Sequence, residues 1–244
     1  MSFTFSHPAI VLPFKNWKLF SMTGLVVGSM IPDFEFFIRM RMYGNAFGHT
    51  LVGLFCFDLP LGILAAFIFH NIVRDSLLRN LPYFLKARLY RFTMFNWNEY
   101  FHCNKLKVII SILLGAVSHL FWDNLTHGYG FFVQYIPVLT YRIMIGIIDM
   151  PVYWFLQYFS SALGLVSIAW VVWCLPANNS VAQKINYWYW LKVFLVFLIV
   201  VGVKKLLGFD NTWGQPIAIT ISAGLLAVTL APLILLPFRA REKK

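Results

Sequence analysis

Apolar residues run along this chain in stretches too long for the alternation of a half-buried strand or the stripe of a surface helix. They fill 51–73, 106–126, 152–175, 189–207 and 216–238 with few charges. A hydrocarbon core of ~30 Å takes about 20 helical residues to cross, so each run predicts a membrane-spanning helix. A sixth apolar run, 19–31, has only 13 residues. At ~1.5 Å per residue it reaches about 20 Å, which predicts a buried or re-entrant helix. The pattern as a whole predicts an all-α, multi-spanning membrane helical bundle with five or six membrane helices.

Polar positions cluster at the ends of these runs. Ser6-His7-Pro8 carries a capping residue followed by proline, a start signal for a short helix ending near Pro13. A polar turn follows at Lys15 to Lys18, and the 19–31 helix then returns and ends before Pro32, whose ring disfavours helix in the residue ahead of it. Such an N-terminal short-helix hairpin brings its two ends together, with His7 at one and Asp33 at the other. His49 stands just ahead of the 51–73 run and joins them on that side. The segment SHLFWDNLTHG, 118–128, places His119, Asp123 and His127 four residues apart at the end of the 106–126 run. On a helix that spacing makes one polar stripe.

Composition turns this pattern into a class. With 60% hydrophobic and 12% charged residues and a mean hydropathy of +0.72, the chain lies outside the range of soluble domains and reads as an integral membrane protein. The net charge of +11 invites a nucleic-acid reading, but its location argues for no nucleic acid. Arg74, Arg79, Lys86, Arg88, Arg91, Lys105 and Lys107 sit between two apolar runs against only Asp75 and Glu99, a positive-inside signal. Arg239, Arg241, Lys243 and Lys244 close the chain and place its end on the same cytoplasmic side, in reach of anionic membrane lipid. Five crossings then put everything before residue 50, and the end of the 106–126 helix, on the extracytoplasmic side. Arg39, Arg41, Arg142, Lys204 and Lys205 run against this scheme. Cys56, Cys103 and Cys174 have no CxxC spacing and read as ordinary buried residues. The segment from Met1 to Phe14 has no positive n-region, so the first residues read as part of the mature protein.

His7, Asp33, His49, His119, Asp123 and His127 therefore converge on one face as candidate metal ligands. His and Asp suit zinc, with manganese or iron as alternatives. The structural alternative is a polar helix end, with the histidines bonded to carbonyls or water. Glu35 reads as a further ligand, a partner for Arg39, or a general base, and it is the best remaining candidate for the catalytic base. Asp58 lies mid-helix, where an acid is costly unless paired, and reads as a structural group or as support behind a ligand. His70 and His102 fall on the basic side and are excluded, and Asp149 before Pro151 reads as a helix cap. The half from 128 to 238 offers less chemistry. It has a polar break at Asn178-Asn179-Ser180, a loop with Asp210, Asn211 and Trp213, and a Tyr187-Trp188-Tyr189-Trp190 cluster that reads as an interface belt. The chain is taken as a single membrane domain, 1–244, in which 1–127 carries the site and 128–238 supports it.

The quoted segments also carry a resemblance. FTFSHPAIVLP, GSMIPDFEFF, FGHTLVG and SHLFWDNLTHG together resemble the bacterial membrane domain-of-unknown-function 4184 family, which is similar to inner-membrane metal-dependent hydrolases regulated with the DNA-damage response. More distantly the chain resembles the zinc-dependent phospholipase C and single-strand nuclease group. Those all-helical enzymes bind a three-zinc cluster through an ordered series of His and Asp that includes a helical HxxxD. Here HLFWD supplies that spacing, but no HxxxE and no histidine follows His127. The resemblance thus implies one or two ions, zinc first. The expected function is a metal-dependent hydrolase of the bacterial inner membrane, cleaving an ester or phosphoester in an amphiphilic, lipid-linked substrate. A divalent ion lowers the pKa of a bound water toward ~7 and polarises the scissile group. The alternative is a non-enzymatic membrane protein, a metal or proton carrier or a structural partner, with the same cluster along a permeation path.

Overall fold

A computed structural model describes residues 3–42, 47–182, 184–208 and 214–234. Asp210, Asn211, Trp213 and the basic tail Arg239 to Lys244 lie outside the described residues. The chain forms two compact units. The first comprises Met1–Glu35, Asn45–Ala66 and Asn96–Pro176, and the second Phe36–Gly44, Phe67–Phe95 and Ala177–Lys244.

Among the described residues four helices are long and apolar enough to cross a membrane: Leu51–Asn80, Lys105–Tyr135, Val152–Trp173 and Gln215–Leu233. The protein is a helical membrane protein. The run expected at 189–207 does form a helix, Tyr187–Leu206, but it is not among these four. It opens on four aromatic residues, Tyr187 to Trp190, and carries Lys192, Lys204 and Lys205.

The N-terminal run is more broken than its pattern suggests. A 3₁₀ helix, Thr4–Asn16, starts two residues ahead of the expected cap, and Ser6 Oγ donates back to the Phe3 carbonyl at 2.6 Å. The expected 19–31 helix shortens to Met22–Gly28, capped by Ser21, with a 3₁₀ turn over Ile31–Asp33. Glycine decides how this short helix sits. A Cβ on Gly28 would lie 2.1 Å from the Ile112 carbonyl oxygen, and one on Gly115 2.4 Å from that of Leu25. Only a glycine at both positions lets the short helix lie backbone to backbone on the Lys105–Thr126 helix. The core beneath is Ile31, Leu54 and Ala116, flanked by Val27, Leu113 and Leu120.

Several small polar residues of the Lys105–Thr126 helix are satisfied locally, as an apolar surround requires. Ser111, Ser118, Asn124 and Thr126 each donate to a carbonyl three or four residues back. The Leu51–Asn80 helix widens into π turns at Leu54–Asp58 and Phe69–Val73. The first directly precedes Leu59-Pro60, where a proline lacks an N–H and crowds the preceding turn. The wide turn accommodates that break and carries Asp58 to full burial.

The first unit departs from an all-helical reading at 142–151. Arg142–Ile145 and Ile148–Pro151 pair as antiparallel strands, with Gly146 at φ +64° in the turn between them. Asp149 is accordingly a strand residue in an exposed ion pair with Arg142, Nε to Oδ2 2.8 Å, and not a helix cap. The three cysteines are free thiols and all exposed, contrary to the expectation of burial.

In the second unit two of the basic residues are structural. Arg74 is buried, pairs with Asp75 at 2.7 Å and donates to the carbonyls of Phe95 and Thr93. Lys86 is buried and donates to the carbonyls of Ala182 and Lys184. Neither presents its charge as part of an open basic patch.

Candidate metal centre

All eight residues singled out as ligands, base or support fall in the first unit. The Lys105–Thr126 helix supplies His119 and Asp123, one turn apart and both buried. His127 does not extend the stripe. It is the residue after the helix, in extended conformation at φ −120° and ψ 138°, with its N–H on the Asp123 carbonyl at 3.0 Å. Asp33 ends the 3₁₀ turn and is 1% exposed. His49 comes from the Phe47–His49 turn ahead of the Leu51 helix. Gly53 lets that turn fold back, since a Cβ there would lie 1.8 Å from the Phe47 carbonyl oxygen.

Asp33, His49, His119 and Asp123 each offer one ligand atom, and those atoms lie within 4.8 Å of one another. His119 Nε2 is 3.5 Å from both Asp33 Oδ1 and Asp123 Oδ2, and His49 Nε2 is 3.7 Å from the same two oxygens. These separations exceed N–H···O hydrogen bonds, which cluster near ~2.9 Å. They approach the ~3.4 Å edge of a tetrahedron whose centre is ~2.05 Å from each corner, the zinc–nitrogen and zinc–oxygen distance. Four of the six separations among these atoms thus match ligand spacing, and the other two lie within 4.8 Å.

The other contacts of these side chains fit the same reading. His119 Nδ1 donates to the Ser29 carbonyl at 2.8 Å, so in the neutral ring it is Nε2 that carries the lone pair. A backbone carbonyl behind the distal nitrogen is the common way a metal-bound histidine is oriented. Thr4 Oγ1 donates to Asp33 Oδ2 and leaves Oδ1 toward the centre. His119 Nε2 and Asp33 Oδ1 are buried without a hydrogen-bond partner. A buried polar atom left so costs about 1–3 kcal/mol, a sizeable fraction of a domain's ~5–15 kcal/mol stability. A cation among them removes that cost.

His7 and His127 face the second oxygen of Asp123. His7 Nε2 is 3.7 Å from Oδ1, and the ring stacks on His119 at 4.0 Å between centroids. Burial, reinforced by the neighbouring His119, pushes the His7 pKa down to about 4, so at neutral pH its imidazole is the neutral, metal-binding form. His127 Nδ1 is 3.6 Å from Oδ1 but is also 3.0 Å from the Asp123 carbonyl, and its Nε2 is buried with no partner. Thus four of the six expected ligands form one constellation, and two flank it.

Glu35 is engaged elsewhere. Its Oε2 accepts the Gly48 N–H at 2.8 Å, a charge-assisted bond that fixes the turn presenting His49. Asp58 is fully buried, and neither of its oxygens has a hydrogen-bond partner. A Cβ on Gly48 would lie 2.9 Å from Asp58 Oδ1, so this carboxyl sits directly behind the His49 turn. His70 is in the second unit, 3.0 Å from Arg74 through Nδ1, and His102 lies on the separate Trp97–Cys103 helix. Thr4 and the Ser29 carbonyl are contributions that the sequence does not reveal. A main-chain carbonyl has no sequence signal, and a threonine ahead of a histidine is too common to be one.

A protein family defined by a domain of unknown function (DUF4184) matches residues 1–236. No curated protein and no solved structure matches the chain.

Proposed function

The chain belongs to the DUF4184 family, and from that premise we propose that it is a membrane-bound metal-dependent hydrolase acting on an ester or phosphoester. The observation that carries the reading is the set of ligand-spaced contacts at 3.5–3.7 Å among Asp33, His49, His119 and Asp123, with His119 oriented by the Ser29 carbonyl. These four residues would hold one divalent ion, zinc by the chemistry of the donor set, with manganese or iron as alternatives. Asp123 Oδ1, faced by His7, marks where a second ion would share that carboxylate. The bound ion would supply Lewis acidity toward the scissile oxygen and toward water.

The chain's own residues then divide the remaining work. Thr4 and Ser29 hold two ligands at fixed angles, and Glu35 anchors the turn that carries His49. Glu35, whose carboxylate sits on the turn that presents His49, also serves as the proton acceptor for the attacking water. Asp58 supports the His49 turn from behind.

The Tyr187–Leu206 helix is taken as a fifth crossing, and the short helices before residue 34 as an N-terminal hairpin. With the basic 74–107 segment inside, the centre lies on the extracytoplasmic side of a bacterial inner membrane. The test is elemental analysis of protein purified in detergent after metal-replete expression. One or two equivalents of zinc, manganese or iron are expected, with hydrolysis of a phosphodiester or ester panel that a chelator abolishes and zinc restores. A protein that holds no transition metal sinks the reading and leaves the carrier or structural alternative.

A further inference from the structure

A groove of about 250 Å³ adjoins the metal centre within the first unit. One wall is Ser6 and His7 of the Thr4–Asn16 helix, another is Trp122, the neighbour of Asp123, and the floor is the Val152–Trp173 helix. On that floor Ser160, Leu163, Gly164 and Ser167 line the groove. Their spacing of i, i+3, i+4 and i+7 is one face of a helix, about 10 Å long. The groove therefore runs along the axis of a membrane-crossing helix.

Its polar groups are mostly engaged with the protein itself. Ser6 Oγ donates to the Phe3 carbonyl, Ser160 Oγ to that of Gln157, and the Trp122 indole N–H to Ser160 Oγ at 3.1 Å. What the lining offers a ligand is contact area more than hydrogen bonds. His7 marks the end next to the metal centre, since its Nε2 is buried, has no hydrogen-bond partner and faces Asp123. A head needing polar contacts is held at the His7 end, and an apolar chain along the rest.

Resting on the hydrolase reading above, we infer that this groove binds one unbranched alkyl chain of an amphiphilic substrate, whose ester or phosphoester head is thereby held at the His7 end, beside Asp123. The substrate class is a single-chain lipid or one leg of a larger lipid. A volume of about 250 Å³ drawn out along about 10 Å of helix suits one alkyl chain.

The experiment uses full-length protein in amphipol, loaded with cobalt, with n-alkyl phosphates from methyl to dodecyl titrated against the cobalt absorption. In the wild type the apparent affinity should rise about fourfold per methylene until the groove is filled, then level off. Leu163→Trp and Ser167→Phe, two separate obstructions, should each collapse the decyl-to-methyl affinity ratio toward one. Val166→Trp, exposed on the same helix outside the groove, should keep the wild-type ratio. Cobalt uptake reports that each variant is folded. A flat wild-type series, or a ratio unchanged in both groove variants, overturns the assignment. Should the wild type take up no cobalt, the metal reading fails by itself. The groove is then judged by a diazirine-tailed decyl phosphate. Labelling confined to 4–16 and 152–173 and displaced by decyl phosphate upholds it, and labelling spread evenly over the spanning helices overturns it.

Discussion

His119 is where the residue scale decides the chemistry. Its burial would be costly for an imidazole with one nitrogen unused, yet its Nδ1 is tied to the Ser29 carbonyl and its Nε2 is left toward two carboxylates. Asp33 is arranged the same way, with Thr4 on one oxygen and the centre at the other. Removing either should lower bound metal by similar amounts, at least tenfold in affinity, since loss of even an outer partner typically costs 10–100-fold. His119→Ala, Asp123→Ala and Asp33→Ala are thus expected to read alike in metal per protein, with His102→Ala at the wild-type value. A loss at His102 equal to that at His119 would dissolve the shared site. Glu35 separates two roles by isostere. If its part is to hold the Gly48 N–H, Glu35→Gln keeps an accepting oxygen and should retain metal and most activity, while Glu35→Ala should destabilise by about 1.5–3 kcal/mol, the scale of a bond to a charged group. If it also accepts the proton, Glu35→Gln should keep metal and lose activity by 100-fold or more. Metal content and turnover measured on the same preparations distinguish these outcomes.

At the scale of elements, the Met22–Gly28 helix is too short to be stable alone and depends on its seat against the Lys105–Thr126 helix. That seat exists because Gly28 and Gly115 allow backbones to touch, and it delivers the Ser29 carbonyl to His119. Gly115→Ala should therefore act at a distance, destabilising by about 1–3 kcal/mol through overpacking and lowering metal occupancy through the lost orientation of His119. Gly202→Ala is the matched control, because a Cβ there meets nothing within 4 Å. It should be neutral or up to about 1 kcal/mol stabilising by helix propensity. Thermal midpoints in detergent, with and without zinc, measure both. An innocuous Gly115→Ala would mean that the helices can separate without cost. The π turn before Pro60 is a second device at this scale, since it sets the rotation that buries Asp58 behind the His49 turn.

For the whole molecule the governing quantity is the side on which each segment emerges. A Cys at Ile147, 97% exposed in the strand turn, should react with an impermeant maleimide added to intact cells or spheroplasts lacking the native thiols. A Cys at Arg91 should react only after permeabilisation. The opposite pattern would put the centre in the cytoplasm. A metal held by Asp33, His49 and His119 would couple regions far apart in sequence, as these residues come from three different segments. Chelation should therefore lower the thermal midpoint of the wild type, by the equivalent of about 2.7 kcal/mol if free metal had stood at a hundred times its Kd. The Asp123→Ala variant should show little further loss on chelation.

The membrane class, four of the spanning helices and the inventory of His and Asp are legible in the sequence, because hydropathy is a local property and ligand types are read directly from the letters. The i, i+4 relation of His119 and Asp123 is legible for the same reason, since helix geometry fixes it. The sequence could not show that His127 leaves the stripe, because a helix end depends on its cap and on the packing of the residues beyond it. Nor does it reveal the strand pair at 142–151, where Gly146 supplies the positive φ of the turn. The fifth apolar run forms a helix, Tyr187–Leu206, as its pattern predicts, although it is not among the four long apolar spans of the described residues. Which oxygen of Asp123 faces His49 and which faces His7, that Glu35 holds a turn, and that Thr4 and a main-chain carbonyl orient two candidate ligands were decided only in three dimensions. Each of these depends on contacts between segments remote in the chain, and the Gly28–Gly115 approach that brings the Ser29 carbonyl to His119 is itself a matter of packing and not of pattern.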